Sequence, residues 1–205
     1  MFTQIIQGHV TDTAAVRESF ERWQRDLAPE AVGWLMGTAG FTADDTLLAF
    51  ACFESVEAAR RNSERPEQHR WWMETAKYFS GEVLFHDCEQ VEVFPRGRTD
   101  FLRDAGFVQV MQGRLRDFDK VCELMHGMED GMRAWRPDLL GAVLAMHPAE
   151  DAYTQFTYFT SEREARENEA KEPTGRLKEV MEELMECEVG EPAYFDLREH
   201  WVEEP

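Results

Sequence analysis

The segment from Asn62 to Trp72 concentrates side chains that could take part in chemistry. An amide (Asn62), a histidine (His69) and two adjacent indoles (Trp71 and Trp72) lie around Pro66, which interrupts a helical pattern. An amide and an indole N–H can stabilise an enolate or phenolate oxygen, and a histidine can move a proton at neutral pH. The pattern predicts a pocket in which Asn62, His69 and Trp71 are the catalytic residues.

Further polar and aromatic side chains in the first half complete the predicted site. Gln7 and His9 alternate along the first predicted strand, so they point to the same face of a sheet. The second half has Arg114 where the first has His9, so we expect only the first half to be active. The predicted substrate-binding residues are Gln7, His9, Trp72, Tyr78 and His86.

A purely structural interpretation of the same residues stays open. Trp71 and Trp72 also suit the edge of a hydrophobic layer, and His69 suits a solvated helix face. Asn62 also suits a helix end, because Asn168 repeats it in the second half.

The chain contains the same segment twice. FTQIIQGHVTD at residues 2–12 returns as FVQVMQGRLRD at residues 107–117. Such a long repeat indicates duplicated domains, because solenoid periods are about 20 to 50 residues. The sequence predicts a first repeat at 1–95, a linker at 96–104 and a second repeat at 105–205.

Each repeat has the pattern of a β-α-β-β-α-β unit. A β-rich run from Phe2 to Val10 precedes a helical stripe and a hairpin, and the second helix breaks at Pro66 and restarts from Trp71 to Phe79. The predicted last strands are Gln90 to Phe94 and Ala193 to Arg198. The predicted class is α+β, with two tandem ferredoxin-like repeats whose antiparallel sheets pack into an intramolecular dimeric α/β barrel.

Charge restricts the partners that we expect. The chain has 22 basic and 41 acidic residues and a net charge of -19, which repels phosphate backbones and anionic lipids. We therefore expect neither nucleic acid nor membrane as a partner. Because no signal-peptide pattern and no membrane-spanning apolar run is found, we predict a cytoplasmic protein, and we expect its partner to be a small-molecule ligand. The fused repeats predict a pseudo-dimer within one chain, and the sequence leaves a further homodimer open.

The sequence lacks the usual patterns of metal and nucleotide cofactor sites. Its 4 cysteines form no CxxC pair, and no Gly-rich turn follows a strand. Haem needs an axial ligand, and His69, His86 and His126 carry no pattern that selects one of them. We expect no metal and no tightly bound cofactor, with haem as a remaining alternative.

In its topology, its doubled Gln-x-x-Gln-Gly strand and its Asn62/Asn168 pair, the chain resembles the antibiotic-biosynthesis-monooxygenase-like proteins of the dimeric α/β barrel superfamily. The resemblance implies a cofactor-independent monooxygenase acting on an aromatic or quinol-type small molecule. It also implies that Asn62, with Trp71 or Trp72, binds and polarises the substrate. The alternative is a non-catalytic small-molecule-binding or stress-associated protein on the same barrel.

Overall fold

The computed structural model describes residues 1–96, 99–147 and 151–205 and divides into two compact units. Unit 1 consists of Met1–Glu89 and Leu197–Pro205, and unit 2 consists of Gln90–Asp196. Each unit has a five-stranded sheet whose strand pairs are antiparallel, with helices between the strands in sequence. The predicted α+β class is confirmed.

Unit 1 contains the first three α-helices and the first four strands, together with the last strand of the chain. Its elements are β1 (Phe2–Val10), α1 (Thr13–Asp26), β2 (Trp34–Phe41), β3 (Thr46–Phe53), α2 (Val56–Ser63), α3 (Pro66–Thr75), β4 (Phe79–Cys88) and β10 (Glu199–Glu203). The strand order in the sheet is β10-β2-β3-β1-β4.

Unit 2 has the same plan with its own edge strands. Its elements are β5 (Val91–Phe94), β6 (Phe107–Arg114), α4 (Phe118–Gly127), α5 (Glu129–Trp135), β7 (Leu139–His147), β8 (Ala152–Phe159), α6 (Glu162–Glu169), α7 (Gly175–Cys187) and β9 (Ala193–Asp196). The strand order is β5-β7-β8-β6-β9.

The structure divides the chain differently from the boundaries predicted at 95 and 105. The run predicted as the last strand of the first repeat is β5, which pairs with β7 of unit 2. Within Met1–Glu89, the first of the two segments that form unit 1, the last strand is instead β4. This strand begins at Phe79, the residue at which the predicted helix was expected to end. The chain then returns to unit 1 as β10, which pairs with β2. Local patterns do not reveal these pairings because the paired strands are far apart in sequence. Gly97 and Arg98 of the predicted linker lie outside the described residues.

Repeated caps explain why corresponding helices begin at corresponding positions. Asp12 accepts a hydrogen bond from the Ala15 amide at 2.9 Å, and Asp117 accepts one from the Lys120 amide at 3.0 Å. Each carboxylate satisfies an amide that has no partner within its helix. The same capping contact therefore begins the corresponding helices of the two repeats.

The core of unit 1 lies between one face of its sheet and its helices. Phe2, Ile6 and Val10 of β1 are buried in the same cluster as Phe20 and Trp23 of α1. Strand alternation places Thr3, Ile5, Gln7 and His9 on the opposite face of the sheet. No helix in the described ranges is long and apolar enough to span a membrane.

Candidate functional site

Unit 1 has a cavity of about 300 Å³ between its sheet and its helices. Three indoles line it, from Trp23, Trp34 and Trp71. The rings of Trp23 and Trp34 meet edge to face with 5.0 Å between centroids. Aromatic walls of this kind bind flat apolar rings through large contact areas.

Several polar side chains line this cavity together with the aromatic rings. Gln4 of β1 donates to Asp87 Oδ1 of β4 at 2.8 Å, and both residues line the cavity. Gln68 of α3 accepts a hydrogen bond from the Trp23 indole at 2.6 Å. A few fixed polar groups in an apolar cavity are typical of sites that orient a small molecule.

Asn62 lies in the wall of this cavity at the last turn of α2. The residue is 7% exposed, and its Oδ1 accepts a hydrogen bond from Arg65 Nη1 at 3.0 Å. Among the described residues, no hydrogen bond uses its amide nitrogen. The Asn62 N–H groups are therefore available to a ligand oxygen.

Trp71 contributes its ring to the cavity, but its N–H group is already bonded. Its Nε1 donates to the backbone oxygen of Ser19 at 2.8 Å, joining α3 to α1. Its ring meets Phe20 edge to face with 5.5 Å between centroids. Trp71 can therefore contact a ligand through its ring, while its N–H holds the helices together.

Glu203, at the end of β10, is the most unusual group in the cavity wall. Its Oε1 is buried and has no hydrogen-bond partner among the described residues. Burial raises the pKa of this carboxyl from 4.5 to about 8, and the Trp201 side chain acts in the opposite direction. A carboxyl group with this pKa can accept or return a proton near neutral pH.

Solved structures with similar folds include three that cover nearly the whole chain. A "putative monooxygenase" from Lactobacillus acidophilus has a TM-score of 0.75 at 12% identity, with 99% of this chain and 95% of that chain covered. A second "putative monooxygenase", from Fusobacterium nucleatum, has a TM-score of 0.74 at 9% identity, with 99% and 94% covered. An anthrone oxidase-like protein has a TM-score of 0.61 at 11% identity, with 98% and 92% covered.

The chain has the same ferredoxin-like α+β fold as these structures. This agrees with the fold that the sequence resemblance implied. No family model and no curated protein sequence matches the chain. At these identities the likeness establishes the fold alone, so the chemistry must be argued from the residues of this chain.

Within this fold, the cavity of unit 1 brings together two of the residues predicted to be catalytic, Asn62 and Trp71. His69 is exposed on α3 and does not line the cavity. Trp72 packs instead against Phe79 and Phe85, with ring centroids at 5.9 and 5.1 Å. The structure thus separates His69 and Trp72 from the cavity, and the roles assigned to all four residues stay predictions.

The other predicted substrate-binding residues lie elsewhere in unit 1. Gln7 and His9 are on the sheet face opposite the cavity, as is His86, which pairs in register with Ile5. Tyr78 is 37% exposed. None of these four residues lines the cavity of unit 1. Their binding roles stay predictions.

Sequence reasoning missed the acidic group of this site. With 41 acidic residues in the chain, a single carboxylate has no distinctive signal in the sequence. The available signal was the alternation of Trp201 and Glu203, which places Glu203 on the same strand face as an indole. The sequence also does not single out Gln4, Gln68 and Asp87, because only the tertiary structure brings these three residues to one cavity.

The described residues contain no group of His, Cys, Asp and Glu side chains arranged to hold a metal ion. No histidine lines the unit 1 cavity in the part of the chain that the structure describes. Of the haem ligand candidates, His126 bonds to Glu92 at 2.7 Å in unit 2. The groups that the cavity offers are therefore aromatic rings, amides and carboxyls.

Proposed function

We propose that unit 1 is a monooxygenase-like enzyme that binds an aromatic or quinol-type small molecule and oxidises it with dioxygen, without a tightly bound cofactor. The observation that carries this proposal is Glu203, whose buried carboxyl faces an aromatic cavity. The names of the three similar structures, two monooxygenases and an anthrone oxidase-like protein, support the same class of reaction.

Glu203 supplies the proton transfer that such a reaction needs. Its carboxylate removes a proton from an acidic O–H or C–H group of the ring system, and the resulting anion donates electrons to dioxygen. For an activated CH₂ group, one dioxygen molecule gives one C=O group and one water molecule, so one oxygen atom enters the substrate. The proton taken by Glu203 returns to the water that leaves.

Asn62 and the aromatic walls position the substrate for this step. The amide N–H groups of Asn62 donate to the substrate oxygen that becomes negative, which stabilises the anion. The rings of Trp23, Trp34 and Trp71 hold the substrate plane and exclude water. The proton-handling role predicted for His69 passes in this proposal to Glu203, which lines the cavity.

A non-catalytic binding protein is the second candidate function. The indoles of Trp23 and Trp71 both use their N–H groups within the protein, on Gln68 and Ser19. These bonds make the cavity rigid and leave fewer donors for catalysis, as in a site that only holds its ligand. In this alternative, ligands bind in the cavity and dioxygen is not consumed.

Dioxygen uptake with an anthrone or a hydroquinone as probe distinguishes the two candidates. Enzymatic function requires uptake above the uncatalysed rate, and Glu203→Gln should lower it by about 100-fold or more. Glu199→Gln is the matched control, because Glu199 lies on the same strand but pairs with Arg17 outside the cavity. Saturable probe binding without uptake would support the binding protein, and equal activity of Glu203→Gln would refute the role of Glu203.

A further inference from the structure

Unit 2, which the sequence predicted to be a scaffold, has a larger cavity of about 540 Å³. Six methionines line it: Met111, Met125, Met128, Met132, Met181 and Met185. Methionine side chains are unbranched and polarisable, so they adapt to ligands of different shapes. The cavity is large enough for a drug-sized apolar molecule.

A tyrosine and a glutamate form a hydrogen-bonded polar pair in the wall of this cavity. Tyr153 is 2% exposed, and its hydroxyl donates to Glu188 Oε1 at 2.7 Å. The other carboxyl oxygen, Glu188 Oε2, is buried and has no partner among the described residues. Because the tyrosine proton is already used, Tyr153 Oη and Oε2 of an ionised Glu188 can only accept further hydrogen bonds. A complementary ligand must be a donor.

The charge of the lining indicates which donor fits. Glu188 and Glu191 are the charged residues of this wall in the part of the chain described, and both are acidic. Arg114 and Arg116, on either side of the Leu115–Glu188 bridge, are exposed and do not line the cavity. A buried carboxylate without a positive partner is unfavourable, and a ligand cation would remove that penalty.

We propose that this cavity binds an apolar amine in its protonated form. The ammonium group donates to Glu188 Oε2, and the hydrocarbon part lies among the methionines. Met185 and Tyr194, which are 70% and 60% exposed, belong to the lining and give the ligand a route in. The site is separate from the unit 1 cavity and from the function proposed there.

The two units differ at the residues that carry this proposal. Phe50 and Phe156 are equivalent in the repeat, and counting back along β3 and β8 places Leu47 of unit 1 where unit 2 has Tyr153. Unit 1 therefore has no hydroxyl at this point. We expect amine binding in unit 2 to be independent of ligand binding in unit 1.

Calorimetric titration of the full chain with 4-phenylbenzylamine and 4-phenylbenzyl alcohol tests the proposal, because the probes differ in charge but hardly in shape. We expect the amine to bind about 10-fold more tightly than the alcohol. Glu188→Gln should abolish that preference, and Glu203→Gln, the matched control in unit 1, should retain it. Loss of activity in Glu203→Gln would concern only the function proposed for unit 1.

Labelled methionine methyl groups locate the bound amine by NMR. We expect its addition to shift signals of Met125, Met132 and Met181 and to leave Met36 of unit 1 unchanged. Three results would overturn the proposal: no binding of the amine, equal affinity for the alcohol, or a preference that survives Glu188→Gln. The comparison of the amine with the alcohol uses the unmodified chain. It therefore tests the proposal even if Glu188→Gln does not fold.

Discussion

The carboxyl group of Glu203 packs against Gly37, its direct partner across the β10–β2 pair. Glu203 Oε2 would lie 3.6 Å from a Cβ atom built on Gly37. Thr38 of unit 1, opposite Phe50, and Val143 of unit 2, opposite Phe156, occupy equivalent register positions. The counterpart of the Glu203–Gly37 pair is accordingly Phe94 opposite Ala142. At this pair of positions, only unit 1 has a carboxyl group opposite a glycine.

Glu203→Gln should change how stability depends on pH. The folded state raises the pKa of Glu203 to about 8, so the folded protein holds this proton more tightly than the unfolded chain does. The stabilisation is complete below about pH 4.5 and is lost as the pH rises to about 8. Relative to the parent, the glutamine variant should gain roughly 4 kcal/mol in free energy of unfolding between pH 5 and pH 8.5.

Urea unfolding at the two pH values measures this difference. Glu199→Gln should show no comparable change, since Glu199 forms an exposed ion pair with Arg17. If parent and Glu203→Gln followed parallel pH profiles, the pKa of Glu203 would be ordinary and its role as a base would have no support.

Gly37→Ala should narrow the unit 1 cavity beside Glu203. The new methyl group would lie 3.1 Å from the Phe50 oxygen, so the strand must shift by a few tenths of an ångström. We expect a small fall in Tm and about 10-fold weaker binding of an aromatic probe, measured by quenching of tryptophan fluorescence. Ala142→Gly in unit 2 is the reciprocal control and should leave this binding unchanged. Unaltered affinity in Gly37→Ala would place the probe elsewhere.

Asn62→Ala and Asn168→Ala form a matched pair that separates catalysis from structure. Both asparagines are buried and hydrogen-bonded near the end of a helix, to Arg65 in one unit and to the Glu164 backbone oxygen in the other. Each alanine variant should lose about 1 kcal/mol of stability. Only Asn62→Ala should also lose dioxygen uptake, and equal uptake in both variants would make Asn62 purely structural.

Trp71→Phe tests whether this indole N–H is structural. The substitution keeps an aromatic ring but removes the indole N–H that donates to the Ser19 backbone oxygen at 2.8 Å. We expect a loss of about 1–3 kcal/mol in chemical denaturation. Trp72→Phe, whose ring lies against Phe79 and Phe85, should cost less. A Trp71→Phe variant with full stability and a much lower turnover would instead assign the N–H group to the substrate.

The repeat, the fold class and many elements were predictable because they depend on local signals. Asp12 and Asp117 cap helices through side chains three residues from the amides that they bind. The stripe that contains Phe20 and Trp23 follows the helical period, so it identified a core-facing surface. Asn62 and Trp71 belong to one short segment, so the sequence alone could indicate that they lie near each other, and both line the cavity of unit 1.

The exchange of edge strands was not predictable in this way. A strand pattern indicates that Val91–Phe94 pairs with something, but not that its partner is β7 in unit 2. The same holds for β10, whose partner β2 lies at the other end of the chain. The predicted boundaries followed the order of the repeats, whereas the sheets are completed by strands from the neighbouring segment.

The sequence by itself determined the duplicated fold, because helix caps, hydrophobic periodicity and turn residues act over a few positions. Only the tertiary structure decided which polar groups share a cavity. Glu203 lines the same cavity as Asn62 and Trp71 because β10 pairs with β2, which is far away in the sequence, and burial there raises its pKa. Burial and long-range pairing are properties of the folded chain, so the same glutamate could not be told apart from its many solvated neighbours beforehand.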